Sequence, residues 1–293
     1  MYEIVKITKL APKTQLMEII APWVVKACQP GQFLIVRTDE NSERIPLTIC
    51  DYDREKKTVT IVVSAVGVST EKMLKLNVGD GFIDVAGPLG KPAAFVDEDI
   101  EQLKKKKFLF VAGGIGAAPV YPQVKWLHEQ GIAADVIIGA RSKDMIILEK
   151  EMREVAGNVY VATDDGSLGH HGLVTDVIKK LVIEEGNVYD ECIAIGPMIM
   201  MKFVSLLTKE LNLNTTISMN AIMVDGTGMC GACRVTVGDK VQFACVDGPE
   251  FDGHLVDFEE ALKRQGLYKD AEEKAMQKRK ENHELGCCGG DAS

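Results

Sequence analysis

The sequence predicts an antiparallel β-barrel, then an α/β domain on a parallel sheet, then a small module built round cysteines. Residues 1 to about 97 are short alternating segments such as QFLIVRT, KTVTIVVSAV and DGFIDVAGPLG, broken by turn residues, the pattern of an antiparallel barrel or sandwich. From about 107 to 212 the period changes. FLFVAG, ADVIIGAR, NVYVATDD and ECIAIG alternate with helical stretches, which implies parallel strands with helices on the sheet faces. Finally, Cys230, Cys233 and Cys245 are grouped, whereas Cys28, Cys50 and Cys192 are scattered.

The barrel, expected over 1–98, opens on MYEIVKITKL, whose alternation reads as a strand and not as the basic patch and apolar run of a signal peptide. Only one short helix is expected in it, at Ser69–Leu76. The charged stretch DEDIEQLKKKK leads into the second domain, 99–212, with helices near Pro119–Gln130, Leu148–Val155, Leu173–Ile183 and Met198–Leu211. A strand, TTISMNAIM, and the cysteine segment make a third unit, 213–255. Around the start of the tail, 256–293, Leu255, Phe258 and Leu262 fall at helical spacing, so a turn or two should dock on the body before a solvated or partner-bound end. Cys287 and Cys288 read as free thiols in a disordered tail.

With 293 residues, 46% of them hydrophobic and 26% charged, the chain can bury a substantial core and is not disordered as a whole. Its net charge of −9 leaves no electrostatic footprint for nucleic acid. No run approaches the roughly 18 apolar residues of a bilayer span, so no membrane partner is expected and the protein reads as cytoplasmic. In that reducing compartment, eight cysteines argue for metal or redox chemistry before disulfides.

The segment MVDGTGMCGACRVTVGDKVQFACVDG holds Cys230-x2-Cys233 and then Cys245, with Asp225 five positions before Cys230. Plant-type [2Fe–2S] loops run C-x4-C-x2-C with a more distant fourth cysteine, so Asp225 stands where the first cysteine would. RVTV and KVQFA alternate like two strands, with Gly238-Asp239 as the turn between them. Residue 237 should then face 240, 234 should face 243, and Cys245 should return beside the Cys230–Cys233 loop. Asp225, Cys230, Cys233 and Cys245 are the expected iron ligands. The alternatives are a zinc knuckle, for which the segment lacks a second C-x2-C pair or spaced histidines, and a buried cysteine cluster without metal; an Asp before a Gly also serves as a plain turn residue.

In the barrel, Arg44-Ile-Pro46-Leu47-Thr48 lies between two strands, and Gly67-Val68-Ser69-Thr70 opens the expected helix, whose free N–H groups suit a diphosphate. In the second domain, FLFVAGGIGAAP runs from a buried strand into Gly113, Gly114 and Gly116, and Gly196-Pro197-Met198 closes a later strand in the same way. Such turns at the carboxyl ends of parallel strands bind nucleotides, although a tight turn in any α/β domain looks alike. Arg141 and Ser142 end the next strand and could meet a nucleotide ribose or 2′-phosphate, or simply face solvent. Asp164-Asp165 could contact a ribose, but reads rather as a helix-capping loop.

These elements together resemble the ferredoxin–NADP reductase superfamily, through its R-x-P-L-T and G-x-x-S/T motifs and its two nucleotide-binding turns. The resemblance implies that Arg44 meets the FAD diphosphate and that the Thr48 hydroxyl, the expected catalytic group, lies near the flavin N5. The later turn commonly reads C-G-P in that family, and here Ile195 replaces the cysteine. With the cluster segment added, the chain is similar to electron-transfer subunits that combine FAD, NAD(H) and a [2Fe–2S] cluster, those of dihydroorotate dehydrogenase among them. Those carry four cluster cysteines. An Asp in the first position and the longer tail are more similar to the small subunit of NADH-dependent reduced ferredoxin:NADP oxidoreductase and to sulfide dehydrogenase beta subunits. The implied activity is an oxidoreductase that exchanges hydride between NAD(H) and FAD and relays single electrons to a larger flavin and iron–sulfur subunit of a bifurcating heterodimer, with ferredoxin reached through the complex. NADP(H) in place of NAD(H), a stand-alone NAD(P)H reductase and a non-catalytic module that keeps only the fold stay open at this point.

Overall fold

The computed structural model describes residues 1–277; Cys287 and Cys288, with their expected free thiols, lie outside the described residues. Alternation in the first part of the chain becomes seven antiparallel strands: β1 (Tyr2–Ala11), β2 (Thr14–Ile20), β3 (Phe33–Arg37), β4 (Ile45–Asp53), β5 (Thr58–Ser64), β6 (Gly81–Phe82) and β7 (Asp84–Leu89). Their order is β6-β1-β2-β5-β4-β3-β7, so the two edge strands are consecutive in sequence. Ile83 between them donates its N–H to the Arg37 carbonyl at 3.0 Å, which nearly closes the barrel. Ile4, Met17, Ile19, Leu34, Ile61 and Phe82 fill it.

The barrel has two helices where one was expected. One is α2 (Val68–Met73), which starts one residue before the predicted Ser69–Leu76 and ends three short of it; the other is α1 (Pro22–Ala27). Pro22 takes the first helical position, where its fixed φ fits and its missing N–H costs nothing. Val24 and Val25, which by composition favour a strand, are buried against the barrel instead. Tertiary packing overrides propensity here.

A short helix, α3 (Ile100–Leu103), precedes the second sheet. That sheet contains β8 (Phe108–Gly113), β9 (Asp135–Ala140), β10 (Asn158–Thr163), the two-residue β11 (His170–His171), β12 (Glu191–Ile195) and β13 (Asn214–Ser218), all parallel. The helices between them are α4 (Ala117–Glu129), α5 (Glu149–Val155), α6 (Val174–Lys179) and α7 (Met198–Glu210). The helix expected to reach Ile183 is regular only to Lys179 and continues over Lys180–Glu184 with π winding. A hairpin of β14 (Arg234–Val237) and β15 (Lys240–Phe243) follows, then β16 (Glu250–Asp252) and α8 (Phe258–Gln265). β16 pairs antiparallel with β13, so segment 213–255 contributes two strands to the second sheet as well as its own hairpin.

The units share their cores. Phe108, Phe110, Val136 and Ile138 pack with α4 on one face of the second sheet, where Cys50, Ala93 and Phe95 join them. Leu109, Val111 and Ile137 pack on the other face with Met201 and Val204, and that cluster continues through Val235 and both Cys233 and Cys245 to Phe33 and Ile35 of β3. Lys125 of α4 reaches Asp51 of β4 at 2.8 Å, a second tie between sheets.

Glu250 marks the join between β16 and α4. The fully buried Gln123 donates its Nε2 to Glu250 Oε1 at 2.6 Å, while Gln123 Oε1 has no partner. Burial pushes the Glu250 carboxyl up to about 7, and a proton there would satisfy the orphaned oxygen. A carboxyl raised in the folded state binds more protons folded than unfolded, so its contribution favours folding below the unfolded pKa of about 4.5 and is lost as pH rises to about 7. At about 1.4 kcal/mol per pH unit the effect is on the order of 3 kcal/mol at most. Glu250→Gln, whose amide can donate to Gln123, is expected to gain stability relative to the parent across that window, and parallel urea titrations at pH 4.5 and 7.5 measure it.

Candidate functional site

The cluster segment folds as its spacing predicts. Val237 faces Lys240 and Arg234 faces Phe243 across the hairpin, and the Ala244 N–H meets the Cys233 carbonyl at 3.1 Å. Cys245 is thereby brought home: its Sγ lies 3.2 Å from Cys233 Sγ. Both thiols are buried, whereas Cys230 is exposed at the loop tip and its Sγ accepts from the Ala232 N–H at 3.4 Å. Burial, followed by the Cys233 thiol, pushes Cys245 up to about 12, so loading iron there must release a proton.

Asp225 faces the same loop. Its Oδ2 accepts from the Cys230 N–H at 2.7 Å and its Oδ1 from the Thr227 hydroxyl at 2.6 Å. Hydrogen bonding from Cys230 and then Thr227 holds the carboxyl well below the usual carboxylate range, so it is ionised whenever the protein is folded near neutrality. The loop comes close to its neighbours: at Gly226, with φ +78°, a Cβ would sit 2.4 Å from Ile35 Cδ1, and at Gly228, with φ +87°, 3.1 Å from Val246. Three thiols and a carboxylate at this spacing suit an iron–sulfur cluster. Among the described residues no three such side chains converge on a single-ion site.

The barrel side of the loop carries the flavin motif. β4 pairs with β3 through Ile45–Thr48 and with β5 only from Ile49 onward, so Pro46 lies where one flank of the strand has no partner to need its missing N–H. Leu47 and Thr48 share that open stretch, and Arg44 directly precedes it. Ser69 bonds Glu43 and Lys72 bonds Asp39, which ties the start of α2 to the loop before Arg44. The Thr70 hydroxyl accepts from the Val66 and Gly67 N–H groups at 3.0 and 3.1 Å, and Val68 follows as the first helical residue. Gly67 has extended backbone, and a Cβ there would meet nothing within 4 Å. Neither conformation nor packing demands glycine, which leaves room for a ligand to approach. Arg44 reaches the Asp225 carbonyl at 3.4 Å and Asp84 at 3.6 Å, while its buried Nε has no partner. An unspent guanidinium N–H and an open glycine fit a diphosphate.

A cleft of about 820 Å³ runs along the carboxyl ends of β8, β9, β10 and β12. Gly113, Gly114, Arg141, Asp164 and Pro197 line it. Gly116, Ser142, Gly196 and Met198 do not. Gly116 and Gly196 stand behind the wall instead: a Cβ on Gly116 would lie 2.1 Å from the Ile195 carbonyl oxygen, and one on Gly196 2.9 Å from Gly113 Cα. Met198 is buried in the core. Asp165 closes the turn at Ser167 and caps no helix, since α6 is capped at Leu173, so the helix-capping expectation fails there, while Asp164 faces the cleft. Sequence reasoning missed Lys179 and the exposed Phe203 and Leu206 on the cleft wall; their helical spacing was visible, but not that no element among the described residues covers the face.

Comparison with known proteins bears on all three regions. Residues 220–257 match the iron–sulfur cluster binding domain of dihydroorotate dehydrogenase B, which sets the zinc reading aside. The chain is 58% identical over 99% of its length to an uncharacterised Clostridium beijerinckii protein, of which it covers 98%. It is 45% identical over 92% of its length, and 92% of the other's, to the dihydroorotate dehydrogenase B (NAD(+)) electron transfer subunit homolog of Thermotoga maritima. Among solved structures, one chain of the NADH-dependent reduced ferredoxin-NADP oxidoreductase superposes with a TM-score of 0.86 at 42% identity, covering 95% of this chain and 97% of that one. An Amycolatopsis cytochrome P450 reductase, at 18% identity and a TM-score of 0.59 over 71% of this chain and 65% of its own, shares the fold alone.

Barrel, nucleotide cleft and cluster loop therefore define an oxidoreductase subunit of reductase fold that uses FAD, NAD(H) and an iron–sulfur cluster for electron transfer. The chain belongs to the family of dihydroorotate dehydrogenase B electron-transfer subunits and their homologues. No helix among the described residues is long and apolar enough to cross a membrane.

Proposed function

We propose that this chain is the small subunit of a flavin-based electron-bifurcating NADH-dependent ferredoxin:NADP oxidoreductase, paired with a larger flavin and iron–sulfur subunit. The whole-length likeness to that enzyme at 42% identity carries the reading. In this reading the barrel (1–98) holds FAD, the α/β unit (99–212) the nucleotide, the segment 213–255 the cluster, and the tail from 256 lies beyond them. Bound FAD and a [2Fe–2S] cluster supply the change from hydride exchange to single-electron transfer.

The chain's residues do the rest. Arg44 and the Gly67–Thr70 turn take the diphosphate charge, with Pro46 and Leu47 shaping the open flank of β4 and Thr48 offering its hydroxyl there. The turns at Gly113–Gly116 and Gly196–Met198 set the depth to which a nucleotide enters, Arg141 and Asp164 meet its ribose, and Ser142 follows at the rim. Asp225, Cys230, Cys233 and Cys245 hold iron. Arg44 also touches the carbonyl of Asp225, so one side chain joins the flavin and cluster sides.

A second reading, supply of electrons to a dihydroorotate dehydrogenase, is favoured by the names of the curated relatives. Co-expression with each class of large subunit separates the two. The proposal expects NADH-dependent diaphorase activity from the isolated chain, and coupled turnover of NADH, reduced ferredoxin and NADP only with the bifurcating partner. Reduction of NAD by dihydroorotate in a stable complex with the other partner, without coupled turnover in the first, would overturn it.

A further inference from the structure

Thr227 occupies one oxygen of the Asp225 carboxylate. Its backbone N–H and its hydroxyl both donate to Oδ1, whereas Oδ2 receives the Cys230 N–H at 2.7 Å; the Cys230 thiol, which also bonds the carboxylate, gives up its proton when it ligates iron. Each carboxylate oxygen offers about two lone pairs. Oδ1 is therefore filled, and Oδ2 keeps one acceptor direction.

We infer that Thr227 is a positioning residue for the cluster: it restricts Asp225 to one-oxygen coordination through Oδ2, and its hydroxyl draws charge from the ligating carboxylate. The inference rests on Asp225 being a ligand, as proposed above. Its electronic half has a definite sign. A hydrogen bond donated to a ligand lowers the charge that ligand gives to iron, and outer-shell donors of this kind tune metal sites. Removing the hydroxyl leaves a more strongly donating carboxylate, which favours the oxidised cluster. Losing the hydroxyl does not remove the backbone N–H, and the Thr227 side chain is exposed, so no core must repack round a substitute.

The test is a redox titration of the full chain, loaded with FAD and cluster and followed by electron paramagnetic resonance. Thr227→Val and Thr227→Ala are compared with Thr227→Ser, and Thr227→Val is repeated in an Asp225→Cys background. The hydroxyl-free variants are expected to shift the ratio of reduced to oxidised cluster about tenfold toward oxidised at a fixed potential, equivalent to a midpoint lower by about 59 mV for one electron. Thr227→Ser should titrate with the parent, and the Asp225→Cys background should abolish the difference. If both hydroxyl-free variants keep the parent midpoint while Asp225→Cys alters the spectrum, the role of Thr227 is overturned and the ligand assignment survives. An Asp225→Cys protein with unchanged spectrum and midpoint would overturn both.

Discussion

In Cys245→Ala, iron content and iron–sulfur absorption are expected to fall to background while FAD stays bound. Cys245 reaches the loop only because the β14–β15 hairpin returns it there, 3.2 Å from Cys233. No other thiol among the described residues can take its place. Cys28 is buried within the barrel, Cys50 on the α4 face of the second sheet and Cys192 within that sheet. The flavin motif lies on β4 and α2, on other elements, so its absorption should persist and NADH should still bleach it. Iron analysis beside the visible spectrum checks the result. Wild-type iron in Cys245→Ala would remove Cys245 from the ligand set.

The hairpin explains why so much of this site was legible. A two-residue turn fixes the register of both strands, so the partner of each residue follows by counting from Gly238-Asp239. The glycine turns at the ends of β8 and β12 were legible for a similar reason: a buried apolar run that stops at glycines and turns helical has few other meanings. What was hidden depends on contacts distant in sequence. Val24 and Val25 look like strand residues until the barrel buries them in α1. β13 and β16 join the second sheet because Ile217 pairs with Phe251, 34 positions on, and nothing local announces it. The Thr227 hydroxyl was equally invisible, since a Thr two residues after an Asp is an ordinary turn pattern. Phe203 and Leu206 read as one side of an amphipathic helix, and only the fold shows that the side opens on the cleft.

Gly116→Ala is expected to cost more than any other single methyl added to the nucleotide turns. Gly116 has φ −60° and ψ −13°, a conformation alanine adopts freely, so backbone strain plays no part. Space decides instead. The new Cβ would lie 2.1 Å from the Ile195 carbonyl oxygen and 2.7 Å from its carbon, both backbone atoms of the turn that forms the opposite wall. The two turns must separate by an ångström or more, at a packing cost of about 1–3 kcal/mol. Misplacement on that scale lowers the rate of a positioned reaction by up to ~100-fold, so kcat/KM for NADH oxidation should fall by that order while flavin and iron contents hold. Gly113→Ala supplies the control. Its Cβ meets Met200 Sδ at 2.4 Å, the end of a flexible side chain, with Pro197 Cδ next at 2.9 Å. Methionine can turn aside where a peptide carbonyl cannot. The smaller loss therefore belongs to Gly113→Ala, and the reverse ranking in steady-state kinetics would show that the approach of the two turns does not set the nucleotide's position.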